Sequence, residues 1–413
     1  MGIWPLLATL ATGASALGLA CVALIQQRRI RALSTRIFSA ARSDPLTGLL
    51  NRRSFEEQLE LELERANRGG GRVTVIVGDL DGLAAVNERH GHAVGDEVLR
   101  LVAAELVKWK RRIDHGGRIG GEELAVLLPD TDEGGAFLVA ERLRRATHRR
   151  LADAPAAVTV SFGVASCPDH ADGGPALLDA ACRALAAAKE LGGDRSVIYS
   201  PEVTRMAASS DGAAGVDLQL ATVIALAEAL DIRDTGTARH SHRVAEYAEL
   251  MAAELGLDAD RAERVRLAGL LHDVGKIGVC DQVLAKPGPL DDSEWREMRT
   301  HPEIAARLLS RPEFDDLRAW ILAHHERADG RGYPYGLAGE DIPLEARILA
   351  VADAYEAMTA DRVYRPALGE KAARGELEGG AGSQFDADVV DALLAALARA
   401  GEAPAGDVVR FAR

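Results

Sequence analysis

Residues 324–334 read His324-His325-Glu326-Arg327-Ala328-Asp329-Gly330-Arg331-Gly332-Tyr333-Pro334, and no other stretch constrains the C-terminal half of the chain as strongly. Two adjacent imidazoles, a carboxylate and a turn punctuated by glycines need a reason beyond loop formation. A second pair, His272-Asp273, closes an otherwise apolar helical pattern, and His240, His301 and Asp353 also fall in helical segments. Singly, each has an ordinary reading. His240, four residues before Val244, reads as a hydrogen-bonded core histidine, and His272-Asp273 as a cation and cap at a helix C-terminus. Asp353 lies in the apolar run from Ile348 to Ala354, where an unpaired carboxylate is costly and needs a partner. Together the residues say more, because five separate helical segments each bring a ligand-type side chain to an apolar face. That pattern predicts helices converging on a metal centre. His324 and His325 point about 100° apart on a helix, so they share one ion only at a helix end.

Histidine and aspartate donors suit iron, manganese, nickel or zinc rather than calcium or magnesium. An aspartate can bridge two such ions, and an ion pair of this kind activates a water and polarises a phosphodiester. Lys276, one helical turn past His272, is placed to neutralise a phosphate oxygen.

The formal charge of −14 argues against a nucleic-acid polymer as partner. A small anionic nucleotide stays open, because a local cluster overrides net charge. Cys21, Cys167, Cys182 and Cys280 show no CxxC spacing, which favours reduced, buried thiols in a cytoplasmic setting. Residues 3–25 carry no charged side chain and are long enough to cross a bilayer as one helix. Arg28, Arg29, Arg31 and Arg36 follow, which predicts a single-pass inner-membrane protein with everything downstream in the cytoplasm. A cleaved signal peptide is the rival reading, opposed by the absence of a positive charge before the run.

These signals divide the chain into a transmembrane anchor (1–25), a juxtamembrane helix (26–43), a mixed domain (44–200), a linker (201–217), a helical domain (218–400) and a tail (401–413). In the mixed domain the patterns predict helices over Ser54–Ala66, Glu97–Trp109, Phe137–Arg149 and Leu177–Lys189. They predict strands over Val73–Val77, Glu123–Leu128, Val158–Ala165 and Ser196–Tyr199. The class is α+β with an antiparallel-rich sheet flanked by helices. Ser209, Ser210, Gly212 and Gly215 mark the linker. Beyond Leu218 strand patterns vanish, and Val244, Tyr247, Ala248, Met251 and Leu255 share one helical face, so the second domain is an all-α bundle.

The mixed domain has its own candidate site. Asp79 and Asp81 end a β-branched strand, and Gly120-Gly121-Glu122-Glu123 forms a tight turn. A hairpin beside that strand would bring Glu122 opposite Asp79, making a two-carboxylate magnesium site for a triphosphate. An ordinary acidic hairpin turn is the other reading, under which Asn87 and Asp96 are surface polar residues.

The segments Leu271-His272-Asp273-Val274-Gly275-Lys276-Ile277-Gly278, His324-His325-Glu326 with Asp329 to Pro334, and Ser383-Gln384-Phe385-Asp386 resemble the HD-GYP subgroup of HD-domain phosphohydrolases over roughly 218–400. The resemblance implies a phosphodiesterase that opens cyclic di-GMP to pGpG, often on to GMP, using two iron or manganese ions. By position His240, His272, Asp273 and Asp353 would hold one ion, and Asp273, His301, His324 and His325 the other. Lys276, Arg362 and Arg365 match basic positions that contact substrate phosphates. The Gly-Tyr-Pro loop is implied to shape the site entrance and to meet protein partners. Some members bind a third metal through a glutamate four residues before the first ligand histidine; here that position is Gly236.

The N-terminal motifs resemble a GGDEF domain over about 40–200. They are Asp44-Pro45-Leu46-Thr47-Gly48-Leu49 with Asn51-Arg52, Asp79-Leu80-Asp81, Asn87, Gly91-His92 with Gly95-Asp96, and Arg118-Ile119-Gly120-Gly121-Glu122-Glu123-Leu124. This implies a diguanylate cyclase fold in which two GTP-loaded domains meet face to face, hence a homodimer. By position Asp79 and Glu122 would bind magnesium, Asn87 and Asp96 would read guanine, and Glu123 would assist attack by the 3′-hydroxyl. Lys189 keeps a substrate-binding place, and Arg111 and Asp114 match an inhibitory product site. Leu124 replaces the signature phenylalanine, Leu83-Ala84 stand for Phe-Lys, and Gly193 stands where arginine follows glycine. Each lost cationic phosphate contact should weaken GTP binding by ~1–3 kcal/mol. The resulting expectation is a cyclic di-GMP phosphodiesterase whose GTP-binding domain is regulatory or weakly cyclase-active. A catalytically silent nucleotide sensor, or a phosphohydrolase of another nucleotide, are the alternatives.

Overall fold

The computed structural model describes residues 42–151, 158–208, 214–235, 239–286, 288–360 and 367–402. The N-terminal part contains β1 (Leu50–Asn51), α1 (Arg52–Gly69), β2 (Val73–Asp81), α2 (Leu83–His90), α3 (His92–Trp109), β3 (His115–Arg118), β4 (Glu123–Pro129), α4 (Glu133–Arg150), β5 (Thr159–Cys167), α5 (Gly174–Glu190) and β6 (Ser196–Ile198). Its six strands lie in the order β1-β3-β4-β2-β5-β6. The central pairs β3–β4, β4–β2 and β2–β5 are antiparallel, and the outer pairs β1–β3 and β5–β6 are parallel. The antiparallel-rich α+β expectation holds.

Strand β2 is buried on both faces, and its period of two sorts the side chains. Val73, Val75 and Val77 pack with Phe55 and Leu59 of α1 and Leu177 and Ala181 of α5. Ile76 and Leu80 pack on the other face with Val86, Val98, Val102 and Leu143 from α2, α3 and α4. Side-chain caps start the long helices: Asn51 accepts a hydrogen bond from Ser54 N, and Asp132 from Gly135 N. Each satisfies an otherwise orphaned first-turn donor.

The expected linker is partly helical. After β6 come α6 (Pro201–Ala207) and α7 (Ala214–Thr235). Small buried faces explain this, because Val203 and Ala207 of α6 and Leu220, Ala221 and Ile224 of α7 join one apolar core with Ala184 and Ala188 of α5. That core continues into α8 (Arg239–Glu254) and α9 (Ala259–Leu271), passes over the short α10 (Asp281–Leu284) and α11 (Asp292–Met298), and resumes in α12 (His301–Leu308), α13 (Asp315–Ala323), α14 (Leu344–Thr359), α15 (Glu370–Gly380) and α16 (Ala387–Glu402). A 3-10 turn, Val274–Gly278, follows α9. No strand ladder forms beyond β6 among the described residues, in keeping with the all-α expectation.

Two expectations are corrected. Among the described residues no helix is long and apolar enough to cross a membrane. The span expected at 3–25 and the juxtamembrane helix to residue 41 lie outside the described residues, so the single-pass inner-membrane placement is not retained. Cys167 is buried and Cys182 half-buried, but Cys280 is exposed, so the expectation of buried thiols fails there. Cys21, Gly236, Arg362, Arg365 and the tail from residue 403 also lie outside the described residues.

Candidate metal centre and nucleotide site

Each ligand-type histidine of the helical part, and Asp273 with them, sits at or near a helix terminus. His240 is the second residue of α8, His272 caps α9 with Asp273 following it, and His301 opens α12. Helix α13 ends at Ala323, so His324 is its C-cap and His325 lies just beyond. The helix end that the adjacent histidines require is therefore present. Asp353 comes from the middle of α14.

Asp273 lies between two groups. Its Oδ2 is 3.3 Å from His272 Nε2 and 3.6 Å from His240 Nε2, whereas its Oδ1 is 3.4 Å from His301 Nε2. Asp353 Oδ1 faces His240 Nε2 at 3.6 Å and His272 Nε2 at 4.0 Å. Two sets of ligand-type atoms come together, His240-His272-Asp273 and Asp273-His301-His324-His325. Arg362 and Arg365 cannot be placed beside them.

The imidazoles are preset as donors. Nδ1 of His272, His301 and His324 lies 2.8, 2.7 and 2.6 Å from the carbonyls of Gly269, Met298 and Ile321. A carbonyl only accepts, so each Nδ1 carries the proton and Nε2 keeps its lone pair. Those three Nε2 atoms are buried with no hydrogen-bond partner among the described residues. Orphaned buried acceptors of this kind fit a metal ion, and carbonyl-anchored rings are the usual support of metal-binding histidines. Burial, reinforced by His272 and His301, pushes His324 down to about 3. Burial likewise lowers His301 and, with His324 beside it, His325. Burial also acts to lower His240 and His272, but Asp273 and other nearby carboxylates outweigh it and the net direction is up. Asp273 is held well below the carboxylate range: burial opposes this, and Lys276 and His272 prevail.

Three residues support the site, of which Glu356 and Asp234 lie outside the motifs and Glu326 lies within one. Glu356 Oε2 meets His240 Nδ1 at 2.6 Å. Asp234 Oδ2 accepts from Lys276 Nζ at 2.7 Å, the same distance at which Asp273 Oδ2 takes that ammonium. Glu326 organises the Gly-Tyr-Pro loop by accepting from the backbone N–H groups of Tyr335, Gly336 and Leu337. The Ser383–Asp386 segment closes the same loop, through Asp329 N to Ser383 O at 2.8 Å. Tyr333 lays its ring 4.8 Å from that of His325, with the Arg299 guanidinium 5.4 Å from the Tyr333 ring centre. Gly275 has a steric reason: a Cβ there would lie 1.8 Å from His301 O, so the turn carrying Lys276 packs directly on the start of α12.

In the N-terminal part a cleft of about 550 Å³ is lined by Asp79, Asn87, Asp96, Arg118, Glu122 and Glu123, among others. Five of the six acidic and amide residues singled out there are brought together, Asp81 being the exception. The register differs from expectation by one residue, since Asp79 pairs across the sheet with Glu123 while Glu122 lies in the turn. Lys189 Nζ bonds Asp79 Oδ1 at 2.6 Å. Asp81 is engaged elsewhere, accepting from Thr159 Oγ1, Ser161 Oγ and Asp194 N. Gly193 sits at φ 72°, in the left-handed region, where arginine would be strained. Arg111 folds back on Asp114, Nε to Oδ1 at 3.0 Å, and its Nη2 donates to Pro129 O and Thr131 Oγ1. The expected inhibitory pair is thus closed on itself.

The chain matches the family model "Diguanylate cyclase, GGDEF domain" over residues 41–195 and the model "HD domain" over 225–389. It is 46% identical over 176 residues to the cyclic di-GMP phosphodiesterase response regulator RpfG of Xanthomonas campestris, covering 42% of this chain and 47% of that protein. It is 40% identical to 3′3′-cGAMP-specific phosphodiesterase 3 of Vibrio cholerae, covering 42% of this chain and 38% of that protein. The alignments therefore span less than half the length of these relatives. The coiled coil and GGDEF domain of DgcB from Caulobacter crescentus, solved in complex with c-di-GMP, is 26% identical, covering 45% of this chain and 99% of that one at a TM-score of 0.41. The chain belongs to the proteins in which a GGDEF domain of the diguanylate cyclase type is followed by an HD domain.

Proposed function

We propose that the chain is a metal-dependent phosphodiesterase of cyclic di-GMP, releasing pGpG or GMP, with a GTP-binding GGDEF domain that is regulatory or weakly cyclase-active. One observation carries the reading: Asp273 turns one oxygen to each of two histidine groups. His240, His272, Asp273 and Asp353 would hold one iron or manganese ion, and Asp273, His301, His324 and His325 the other. When bound, such an ion pair supplies a water of lowered pKa and polarises the phosphodiester. The anchored imidazoles keep their lone pairs inward, and the Lys276 ammonium offers positive charge to a phosphate oxygen beside them. Arg362 and Arg365 would extend that charge to the substrate.

In the N-terminal domain Asp79 and Glu122 would hold magnesium, Asn87 and Asp96 would read guanine, and Glu123 would assist the 3′-hydroxyl. Ala84 and Gly193 withhold two positive charges from a triphosphate, and product bound at Arg111 and Asp114 would restrain any cyclase rate. Lys189, now on Asp79, would turn to the phosphates. The domains are taken as 44–200 and 218–400. Face-to-face GGDEF pairing would make a homodimer, and the Gly-Tyr-Pro loop would meet protein partners.

The test offers cyclic di-GMP, 3′3′-cGAMP and GTP in turn to the purified, manganese- or iron-loaded chain, with chromatography of products. Cyclic di-GMP should be opened, and Asp273→Ala should abolish turnover. A near-wild-type rate in that variant overturns the reading. Preference for 3′3′-cGAMP would favour the second reading, to which the similarity with a phosphodiesterase named for that nucleotide points.

A further inference from the structure

Lys276 is held from two sides by elements far apart in sequence. Its Nζ donates to Asp273 Oδ2 and to Asp234 Oδ2, each at 2.7 Å, and all three side chains are largely shielded from solvent. A lysine is a point charge on a flexible four-carbon stem with three donors. One carboxylate contact alone would let the ammonium settle onto Asp273, the residue shared by the two histidine groups. The second carboxylate divides the ammonium between two acceptors and leaves one N–H for a phosphate oxygen.

Asp234 is itself fixed by its place in α7. Two residues earlier, Ile232 is 3% exposed and packs in the GGDEF core with Leu80, Val160, Phe162 and Ile198. Asp231, also buried, accepts Ser241 N at 2.7 Å and Ser241 Oγ at 3.0 Å. Ser241 follows His240 in α8. One turn of α7 therefore grips the GGDEF core, the start of α8 and Lys276 together.

We propose that Asp234 is a positioning residue for phosphodiester hydrolysis. It presents Lys276 to the scissile phosphate from a helix that lies in the helical core and whose last turn, through Ile232, also packs on the N-terminal domain. The inference rests on the phosphodiesterase reading above. Asp234 makes no contact with the substrate and acts only through Lys276.

The experiment is a double-mutant cycle on the full, metal-loaded chain with cyclic di-GMP: wild type, Asp234→Asn, Lys276→Met and the double variant, with metal content measured on each. Asp234→Asn should lower kcat by roughly 10- to 100-fold, the scale of a misplaced catalytic group. KM should stay within about twofold, because the lost interaction belongs to the transition state. In the Lys276→Met background Asp234→Asn should add nothing, and Asp234→Glu should recover part of the loss. Metal content should match wild type throughout. Additive losses, an unchanged kcat in Asp234→Asn, or a kcat loss that tracks lost metal would each overturn the positioning role while leaving the phosphodiesterase reading intact. A wild-type chain that opens no cyclic dinucleotide would overturn both.

Discussion

Glu356 and His240 meet at 2.6 Å, carboxylate oxygen to Nδ1, with both side chains buried. A carboxylate on the far nitrogen of a ligand histidine fixes its tautomer and raises its basicity, and losing such a partner costs about 10- to 100-fold in metal affinity. Glu356→Ala should lower metal affinity by that factor, and Glu356→Gln by less. Competition with a chelating dye reads the change directly, and unaltered affinity would remove His240 from the proposed ligand set.

The apolar helical faces, the central strands and the converging histidines were all legible in the sequence, because each is a local pattern of period 2 or 3.6. What escaped was long-range. Glu356 lies 116 residues from His240 and Asp234 lies 42 from Lys276, and no local periodicity links such pairs. One signal for Glu356 existed, since it follows Asp353 by three residues and shares its helical face. Strand β3, His115-Gly116-Gly117-Arg118, is the first arm of the hairpin expected at Gly120-Gly121, but the sequence gives it no bounds because it has no β-branched residue and two glycines. The helical linker ends were missed because small residues resemble a flexible spacer until the core they bury against is known.

Gly275→Ala tests the packing of the Lys276 turn. The added Cβ would lie 1.8 Å from His301 O and 2.7 Å from Ala305 N, both backbone atoms that cannot turn aside. Overpacking typically costs ~1–3 kcal/mol. The variant should show a lowered unfolding midpoint together with loss of hydrolysis, whereas wild-type denaturation curves would contradict the close approach.

Arg239 joins the domains one residue before His240. Its Nε donates to Glu133 Oε1 at 3.1 Å, and its Nη2 pairs with Asp169, while Arg72 lies 3.8 and 3.4 Å from the same two carboxylates. Both acids are largely buried, but Arg239 is partly exposed, so Arg239→Met should destabilise by a screened ~1–2 kcal/mol. Scanning calorimetry should find a lower midpoint for the coupled transition. An unchanged thermogram would show that the domains hold together without this pairing.

Asp79 should make nucleotide binding pH-dependent. Burial pushes its carboxyl up to about 6, with Glu122 and Glu123 adding to the effect and Lys189 opposing it. The folded pKa lies above the ordinary 3.8, so between these values the folded domain retains a proton the unfolded chain has released. The corresponding stabilisation is present below that window and lost as pH rises through it. Magnesium requires the ionised form, so the affinity for magnesium–GTP should fall as pH drops through about 6, by nearly tenfold per unit once the proton dominates. Calorimetry across that range checks it, and a flat profile would exclude Asp79 as the ligand.

The number of ions per chain follows from which carboxylates are already committed. The two ligand sets share Asp273, and together with Asp353 they account for seven residues. Gly236, four residues before His240, has no side chain to add. The nearby carboxylate of Asp234 is engaged by Lys276 at 2.7 Å, and that of Asp231 by Ser241. A third ion would have to displace one of these contacts with no new acid to replace it. Two ions in the helical domain are therefore expected from anomalous diffraction of the manganese-loaded protein, falling below two in Asp273→Ala because the shared ligand serves both. Three stoichiometric ions in the helical domain would show that Asp234 or Asp231 leaves its partner to bind metal. A single ion would remove the bridging role assigned to Asp273.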